Sequence, residues 1–407
     1  MFYKKSSNKS LSPARISWRK FRSGKIAMIS LLWIIINVIV AILGYLIAPD
    51  STPYANNQQL ELRVKEPGFS VKTLYVKNNK ATKSTSVIQK MIYGKELSYS
   101  LHPVKSLEIN GSKISIISYS GDPDIPGIQK EFNLADAIYP LKVDEEIIER
   151  DGKLKFTLYN GKKKTETIEN LKNQLIENNI KHQRFILGTD QFGRDLLSQL
   201  IIGTRVSLSV GFIAVLISLI IGVSLGSIAG FFRGKIDDFV VWLINIIWSL
   251  PTLIIVIAIT FAIGKGFWQV FVAVGLTMWV DVARVARGQI ISIREKDFVE
   301  AARALGLNTY RIITKHILPN IYGPLIVISA ANFASAILIE AGLSFLGMGV
   351  QPPMPSWGSM IKENYGYIIL DKAYLAILPG ICIMLMVLSF LLAGNSLRDA
   401  LDKTYNQ

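Results

Sequence analysis

Six apolar runs constrain this chain more than any other feature, because each has about the 20 residues that a helix needs to cross a hydrocarbon core of about 30 Å. They occupy residues 26 to 48, 206 to 230, 239 to 263, 267 to 283, 324 to 346 and 374 to 395. A helix satisfies its own backbone donors and acceptors, which is the condition for standing in lipid. Half of the 407 residues are hydrophobic, and they are gathered here rather than spread as in a soluble core. The reading is an all-α polytopic membrane protein with six spans. The fourth run is the least regular, since Trp279 and Asp281 interrupt it and Arg284 and Arg287 follow.

Lysine and arginine in short loops set orientation. Lys4, Lys5, Lys9, Arg15, Arg19, Lys20, Arg22 and Lys25 precede the first span with no acidic residue among them, which places the amino terminus in the cytosol. Six crossings return the carboxyl terminus to the same side. The same parity puts the loop 284 to 323 inside, and it carries Arg284, Arg287, Arg294, Lys296, Arg303, Arg311 and Lys315. The net charge of +15 is largely used in these loops and in a lysine-bearing segment after span one, and no nucleic-acid-binding module accompanies it. Cys382, the only cysteine, can form no internal disulfide and no cysteine-based metal site. The first span ends in Ile47-Ala48-Pro49-Asp50 without a small-residue cleavage site, so it reads as an uncleaved anchor.

The organisation follows. Residues 1 to 25 are a basic cytoplasmic segment, 26 to 48 the first span, and 49 to 185 a polar extracytoplasmic insertion. Within the insertion, 113 to 119 has strand character. Leu154, Phe156 and Leu158 alternate with polar residues up to a turn at Asn160-Gly161. Residues 133 to 150 and 167 to 178 read as helical, which makes a small α+β domain. Residues 186 to 205 lead into a five-span core over 206 to 395, with a cytoplasmic loop at 284 to 323, and 396 to 407 form a cytoplasmic tail. Gly211, Gly222, Gly226 and Gly230 give span two a small-residue face of the kind that lets membrane helices approach closely. Pro251 should kink span three, as a hinge or as a tolerated packing kink.

The loop 284 to 323 holds a short amphipathic helix with no catalytic chemistry. Asp297 is placed to cap it and Glu300 to complete a capping box. Phe298, Ala301, Ala302 and Leu305 supply a narrow apolar face, and Gly306 can end the helix. A second short helix is expected from Thr309 to Leu318, stopped by Pro319, with Pro324 opening span five. Taken alone, the helix could equally lie on lipid.

The spacing of Glu300-Ala301-Ala302, Gly306 and Leu318-Pro319 resembles the cytoplasmic loop of ABC importer permeases, although His316 stands where that pattern has an isoleucine. Three further segments are similar to the "C"-type permeases of dipeptide and oligopeptide importers. They are the leader Trp18-Arg19-Lys20-Phe21-Arg22, the stretch Leu187-Gly188-Thr189-Asp190-Gln191-Phe192-Gly193-Arg194-Asp195 with Gly203-Thr204-Arg205, and Glu340-Ala341-Gly342-Leu343-Ser344-Phe345-Leu346-Gly347 with Pro352-Pro353 and Trp357-Gly358. The resemblance covers residues 12 to 50 and 186 to 400, and family members usually have a much shorter segment where 51 to 185 stands. It implies a MetI-like permease core and a membrane-spanning subunit that forms half of a translocation pathway for di- or oligopeptides.

The partners it implies are a second permease subunit, two ATPase subunits and an extracytoplasmic solute-binding protein, beside membrane lipid. Asp297, Phe298, Glu300, Ala301, Ala302, Leu305 and Gly306 become the ATPase-coupling residues. This chain has no phosphate loop, because Gly234-Lys235 lacks the earlier glycine and the following hydroxyl. It is therefore read as a transport subunit and not an enzyme, binding no cofactor or metal itself, with ATP and Mg on the partner ATPases. Glu340 and Pro251 are pathway or gate candidates, since an unpaired carboxylate at the bilayer centre costs roughly 2.5 kcal/mol or more. For Glu340 the alternative is a charge near the outer membrane surface. The alternatives in function are a permease for nickel or another small solute, an ion-coupled secondary transporter, and a membrane-anchored sensor.

Overall fold

The computed structural model describes residues 13–80, 85–121, 125–143, 145–264 and 266–401. Lys4, Lys5 and Lys9 and the tail beyond Leu401 lie outside them. In chain order the first elements are α1 (Pro13–Ser23) and α2 (Lys25–Ile47), the latter carrying exposed Ile29, Leu32, Ile35 and Ile39. The insertion follows with β1 (Ser70–Lys77), α3 (Val87–Tyr93), β2 (Tyr99–Asn110), β3 (Lys113–Ser118), β4 (Gln129–Asn133), α4 (Leu134–Ile138), β5 (Ile148–Arg150), β6 (Lys153–Thr157), β7 (Lys163–Thr167), α5 (Ile168–Gln174) and β8 (Ile180–Arg184). The helical core then runs α6 (Leu196–Phe232), α7 (Lys235–Trp248), α8 (Thr252–Ile263), α9 (Phe267–Ile293), α10 (Asp297–Ala304), α11 (Thr309–Arg311), α12 (Leu318–Phe345), α13 (Trp357–Asn364) and α14 (Tyr374–Leu401). The chain divides into two units. One comprises Met1–Ala41, Gly203–Lys362 and Ala376–Gln407, and the other Ile42–Ile202 and Glu363–Leu375.

The second unit is built on an antiparallel five-stranded sheet, ordered β4-β3-β2-β1-β8, and a three-stranded sheet, β5-β6-β7. Alternation explains the smaller sheet: Leu154 and Phe156 turn inward while Lys153 and Lys155 stay exposed. With Leu74, Val76, Ile114, Ile116, Leu134, Leu171 and Leu175 they form one core. The helix expected over 133 to 150 is confined to α4, where the Asn133 side chain accepts from the Ala135 N–H at 2.9 Å. Pro140 follows at once, and the chain reaches β5 by 148, because a proline cannot donate the helical hydrogen bond.

Among the described residues, five helical stretches are long and apolar enough to cross a membrane: Lys25–Ile47, Leu196–Phe232, Phe267–Ile293, Thr309–Phe345 and Tyr374–Leu401. The run expected as one kinked third span is instead the pair α7 and α8, bent by 93°. Pro251 adopts extended ψ as the residue before α8 and has no N–H to continue α7, so the chain turns there rather than merely bending. The expected stop at Pro319 is also corrected. Ile312–Ile317 forms a π-helical turn and the helix continues through Pro319 and Pro324 to Phe345. The wider turn sits directly before the proline that cannot donate a helical hydrogen bond.

Close approach of α6 to α9 holds this unit together. Cβ atoms added at Gly222, Gly226 and Gly230 would lie 2.5 Å from Val282 Cβ, 2.5 Å from the Ala283 carbonyl oxygen and 2.8 Å from the Arg287 carbonyl oxygen. A repeat of glycine every four residues thus meets a matching repeat on α9. Water offers no hydrophobic drive between helices in lipid, so this backbone contact is the source of their attraction. Asp237 adds a clamp at the start of α7, accepting from Arg287 Nε at 2.5 Å and Nη2 at 2.8 Å.

Candidate functional site

The short helix α10 is seated on its own subunit by two residues one turn apart. Val299 and Ala302 are buried among Phe231, Ile290, Ile293, Ile312, Ile317 and Ile321. This corrects the face read from sequence, on which Ala302 stood with Phe298, Ala301 and Leu305. Those three are exposed, Leu305 at 81%, and Tyr310 nearby at 77%. Alanine and valine fit the close contact with the spans beneath, and the bulkier Phe298 and Leu305 are left outside.

The capping is also different from the expected box. Lys296, in extended conformation, precedes the helix without a side-chain cap, and Asp297 is its first residue. Asp297 and Glu300 still lie in the first turn, where negative charge favours the helix N-terminus. At the other end Gly306 takes φ +74°, its N–H bonds the Arg303 carbonyl at 2.9 Å, and the Leu307 N–H reaches the Ala302 carbonyl at 3.2 Å. This pair of bonds is the Schellman arrangement, and it needs the left-handed conformation that glycine adopts without strain. Asn308 then caps α11 by accepting from the Arg311 N–H at 2.9 Å.

Contacts beneath α10 join it to the spans. Arg294 donates to the Phe231 carbonyl at 2.5 Å, and the Arg303 guanidinium stands 5.1 Å from the Phe231 ring. Both arginines thus hold the last turn of α6. Cation–π and charge-assisted contacts of this kind are stiff and directional. The helix, the ends of α6 and α9 and the start of α12 consequently form one packed block. Sequence reasoning missed Val299, Phe231 and the Asp237 to Arg287 pair. The signal for Val299 was its spacing of three from Ala302, and for the pair an acid and an arginine at the edges of neighbouring apolar runs.

The two pathway candidates stand elsewhere. Glu340 is fully buried within the protein; its Oε1 accepts from Ser344 Oγ at 2.7 Å. Ser356 and Ser359 extend that hydroxyl cluster, and Gly349 and Gly358 let the following loop fold against Ser344 and Ala341. Beside the break at Pro251, a cavity of about 360 Å³ is lined by Trp248, Thr252, Thr277, Asp281 and Ser335 among others. Glu340, Pro251 and α10 are therefore not gathered into one site. Among the described residues, no group of three or more His, Cys, Asp or Glu is arranged to hold a metal ion.

The family model described as "Binding-protein-dependent transport system inner membrane component" matches residues 222–407, and "N-terminal TM domain of oligopeptide transport permease C" matches residues 12–63. The di/tripeptide transport system permease protein DppC of Pseudomonas aeruginosa is 42% identical over 220 residues, 54% of this chain and 72% of that protein. The chain belongs to the binding-protein-dependent ABC importer permeases. The glutathione transport system permease protein GsiD of Pectobacterium atrosepticum is 37% identical across 53% of this chain and 71% of that protein. The oligopeptide transport system permease protein OppC of Bacillus subtilis is 37% identical across 53% of this chain and 70% of that protein. Among solved structures, the inward-facing MetNI methionine ABC transporter matches at TM-score 0.44 and 20% identity, over 51% of this chain and 98% of that chain. The permease is a helical, multi-pass membrane protein, and residues 64 to 221 lie outside both family matches.

Proposed function

We propose that this permease forms half of the translocation path of an ATP-driven importer of di- or oligopeptides, pairing with a second permease subunit. Six crossings, with α7 and α8 counted as one, leave both termini and α10 in the cytosol and the α+β insertion outside, in the cytoplasmic membrane. A solute-binding protein delivers peptide from outside, and two separate ATPase subunits, which carry ATP and Mg, supply the work. The peptide assignment rests on relatives named for dipeptide, tripeptide and oligopeptide transport.

The observation that carries the coupling role is the division of α10 into two faces. Val299 and Ala302 fix it to the spans, while Phe298, Ala301 and Leu305 are presented outward. A partner cleft that closes on the outer face moves the inner face with it, and Phe231, Ile290 and Ile321 pass the displacement to α6, α9 and α12. Glu300 and Asp297 add charge to the outer surface. A helix resting on lipid would place basic residues on its polar face. Here the exposed charges are mixed, with Asp297 and Glu300 in the first turn and Arg303 in the last.

Cysteines at Ala301 and Ala302 distinguish this reading sharply. In membranes containing the whole transporter, Ala301→Cys is expected to crosslink to an ATPase subunit and Ala302→Cys is not. Absence of any ATPase from the purified complex, together with no crosslink at Ala301 or Phe298, would sink the coupling role.

A further inference from the structure

A second site lies on the same unit, away from α10 and from Glu340. Between α9, α12 and α14 is a cavity of about 620 Å³ whose walls divide by chemistry. Gln289, Asn395 and Arg398 line it from α9 and α14, and Pro324, Val327 and Ala331 line it from α12. Among the described residues, no acidic one lines it. Arg398 makes no ion pair among the described residues. Arg398 is exposed at this end of α14, where an arginine beside an apolar wall can meet an external anion.

The cavity's level is fixed by the helices themselves. Gln289 is one turn from the end of α9 at Ile293, Arg398 is in the last turn of α14, and Pro324 is in the second turn of α12. The ends of α9 and α14 lie together here and mark one surface of the bilayer. Basic pockets between spans at that level take anionic headgroups. The volume admits a headgroup and the upper part of its chains, with the rest left in the surrounding lipid.

We infer that this cavity is a binding site for an anionic phospholipid, with its phosphate on Arg398, Gln289 and Asn395 and its upper acyl chain along Pro324, Val327 and Ala331. The charge of the lining selects against zwitterionic lipid, and the apolar wall selects against a free anion. The lipid bridges α12 and α14 between two close approaches, where a Cβ at Gly323 would lie 3.1 Å from Leu401 Cδ1 and one at Gly394 3.0 Å from Ala330 Cβ. Because α12 follows directly from the π-helical turn after α11, the same lipid braces the helix that leaves the α10 block. The site stands on its own lining and does not depend on the solute carried.

The test uses the full chain in nanodiscs of phosphatidylcholine containing phosphatidylglycerol, with a photoreactive phosphatidylglycerol and mass spectrometry of the labelled peptides. Labelling is expected on the last turns of α14 and on α12 near Val327. Arg398→Gln should lower the retention of phosphatidylglycerol over phosphatidylcholine about fivefold, the worth of roughly one basic contact, and Arg398→Lys should restore most of it. Ala331→Trp, which fills the apolar end without touching charge, should also reduce retention. The monodispersity of each variant on gel filtration shows that the fold is intact. Inorganic phosphate at millimolar concentration should not compete. Competition by inorganic phosphate would show a free-anion site, displacement of the probe by dipeptides would show a transport-path site, and equal labelling of Arg398→Gln would show no selective site. Each of these three outcomes overturns the inference.

Discussion

The membrane core and the inserted α+β domain place their apolar residues in opposite ways. In the insertion, Leu154 and Phe156 are within 2% of full burial while Lys153 and Lys155 face out. In α2, Ile29, Leu32, Ile35 and Ile39 are all exposed, whereas buried Ser30 and Asn37 lie on its inner side. One region was shaped by water and the other by lipid. Burial of a side chain contributes to folding in the first and means little in the second, where a leucine is as comfortable outside as inside. What stabilises the membrane core is instead close backbone approach and a few polar clamps.

The largest expected effect on the membrane core follows from that contrast. Gly226→Val would drive a side chain into the Ala283 carbonyl, already 2.5 Å from the position of a Cβ. The backbone itself must give way, at a cost of about 1 to 3 kcal/mol or more. The expected outcome is loss of monodisperse protein on gel filtration in mild detergent; a normal yield would show that α6 and α9 do not depend on this contact.

Phe156→Ala should cost the insertion about 3 to 5 kcal/mol, yet leave the spans intact. Hydrogen exchange should rise over residues 64 to 185 and stay unchanged in α6 and α9, while Ile35→Ala on the lipid face changes neither. Exchange rising equally in both regions would mean that they are one cooperative unit.

Next in size, Asp237→Asn removes the charge that Arg287 donates to twice. Hydrogen bonds to charged groups are worth about 1.5 to 3 kcal/mol, and the partial exposure of Arg287 puts the expected loss at the lower end. The thermal midpoint in detergent should fall, and Arg287→Gln added to Asp237→Asn should recover part of it. Additive losses would deny the pair any coupling.

Leu305→Asp probes the coupling face. At 81% exposure it should shift the thermal midpoint little, yet abolish uptake of a labelled peptide in cells with normal membrane levels of the protein. Retained uptake would count against α10 as the force-bearing helix.

The smallest effect concerns Asp195, whose carboxyl is pushed above the usual carboxylate range chiefly by burial, with Asp50 and Asp190 adding to the rise against the bonds from Ser198. Its folded form holds a proton more tightly than the unfolded chain, so its contribution to stability is present at low pH and is lost as pH rises through the carboxylate range. Asp195→Asn escapes that loss. Its thermal midpoint relative to the parent should therefore rise from about pH 4 to pH 7, and a constant difference would contradict the assignment.

Local features were the legible ones. The hairpin around Asn160-Gly161 is β6 paired with β7, because its alternation and turn residues are decided within a dozen positions. Asp195 could have announced the early start of α6, since it accepts from the Ser198 N–H at 2.9 Å three residues on. The helix read over 133 to 150 failed because Asn133 and Pro140 enclose a short stretch, and turn chemistry outweighed the helix-like composition. The inward face of α10 was not legible at all. Phe298, Ala301, Ala302 and Leu305 form a plausible stripe, and only the bodies of α6, α9 and α12 select Val299 and Ala302 instead.

The sequence by itself determined where apolar runs long enough to cross a bilayer lie, that a polar domain interrupts them, and which family the motifs resemble, because run length, turn residues and motif spacing are properties of contiguous residues. The tertiary structure decided which glycines meet which helix, that Pro251 breaks a span into two helices at 93°, that Glu340 is buried among serines, and which side of α10 is free. Those outcomes depend on residues far apart in the chain that compete for the same space, and no local pattern carries the result of that competition.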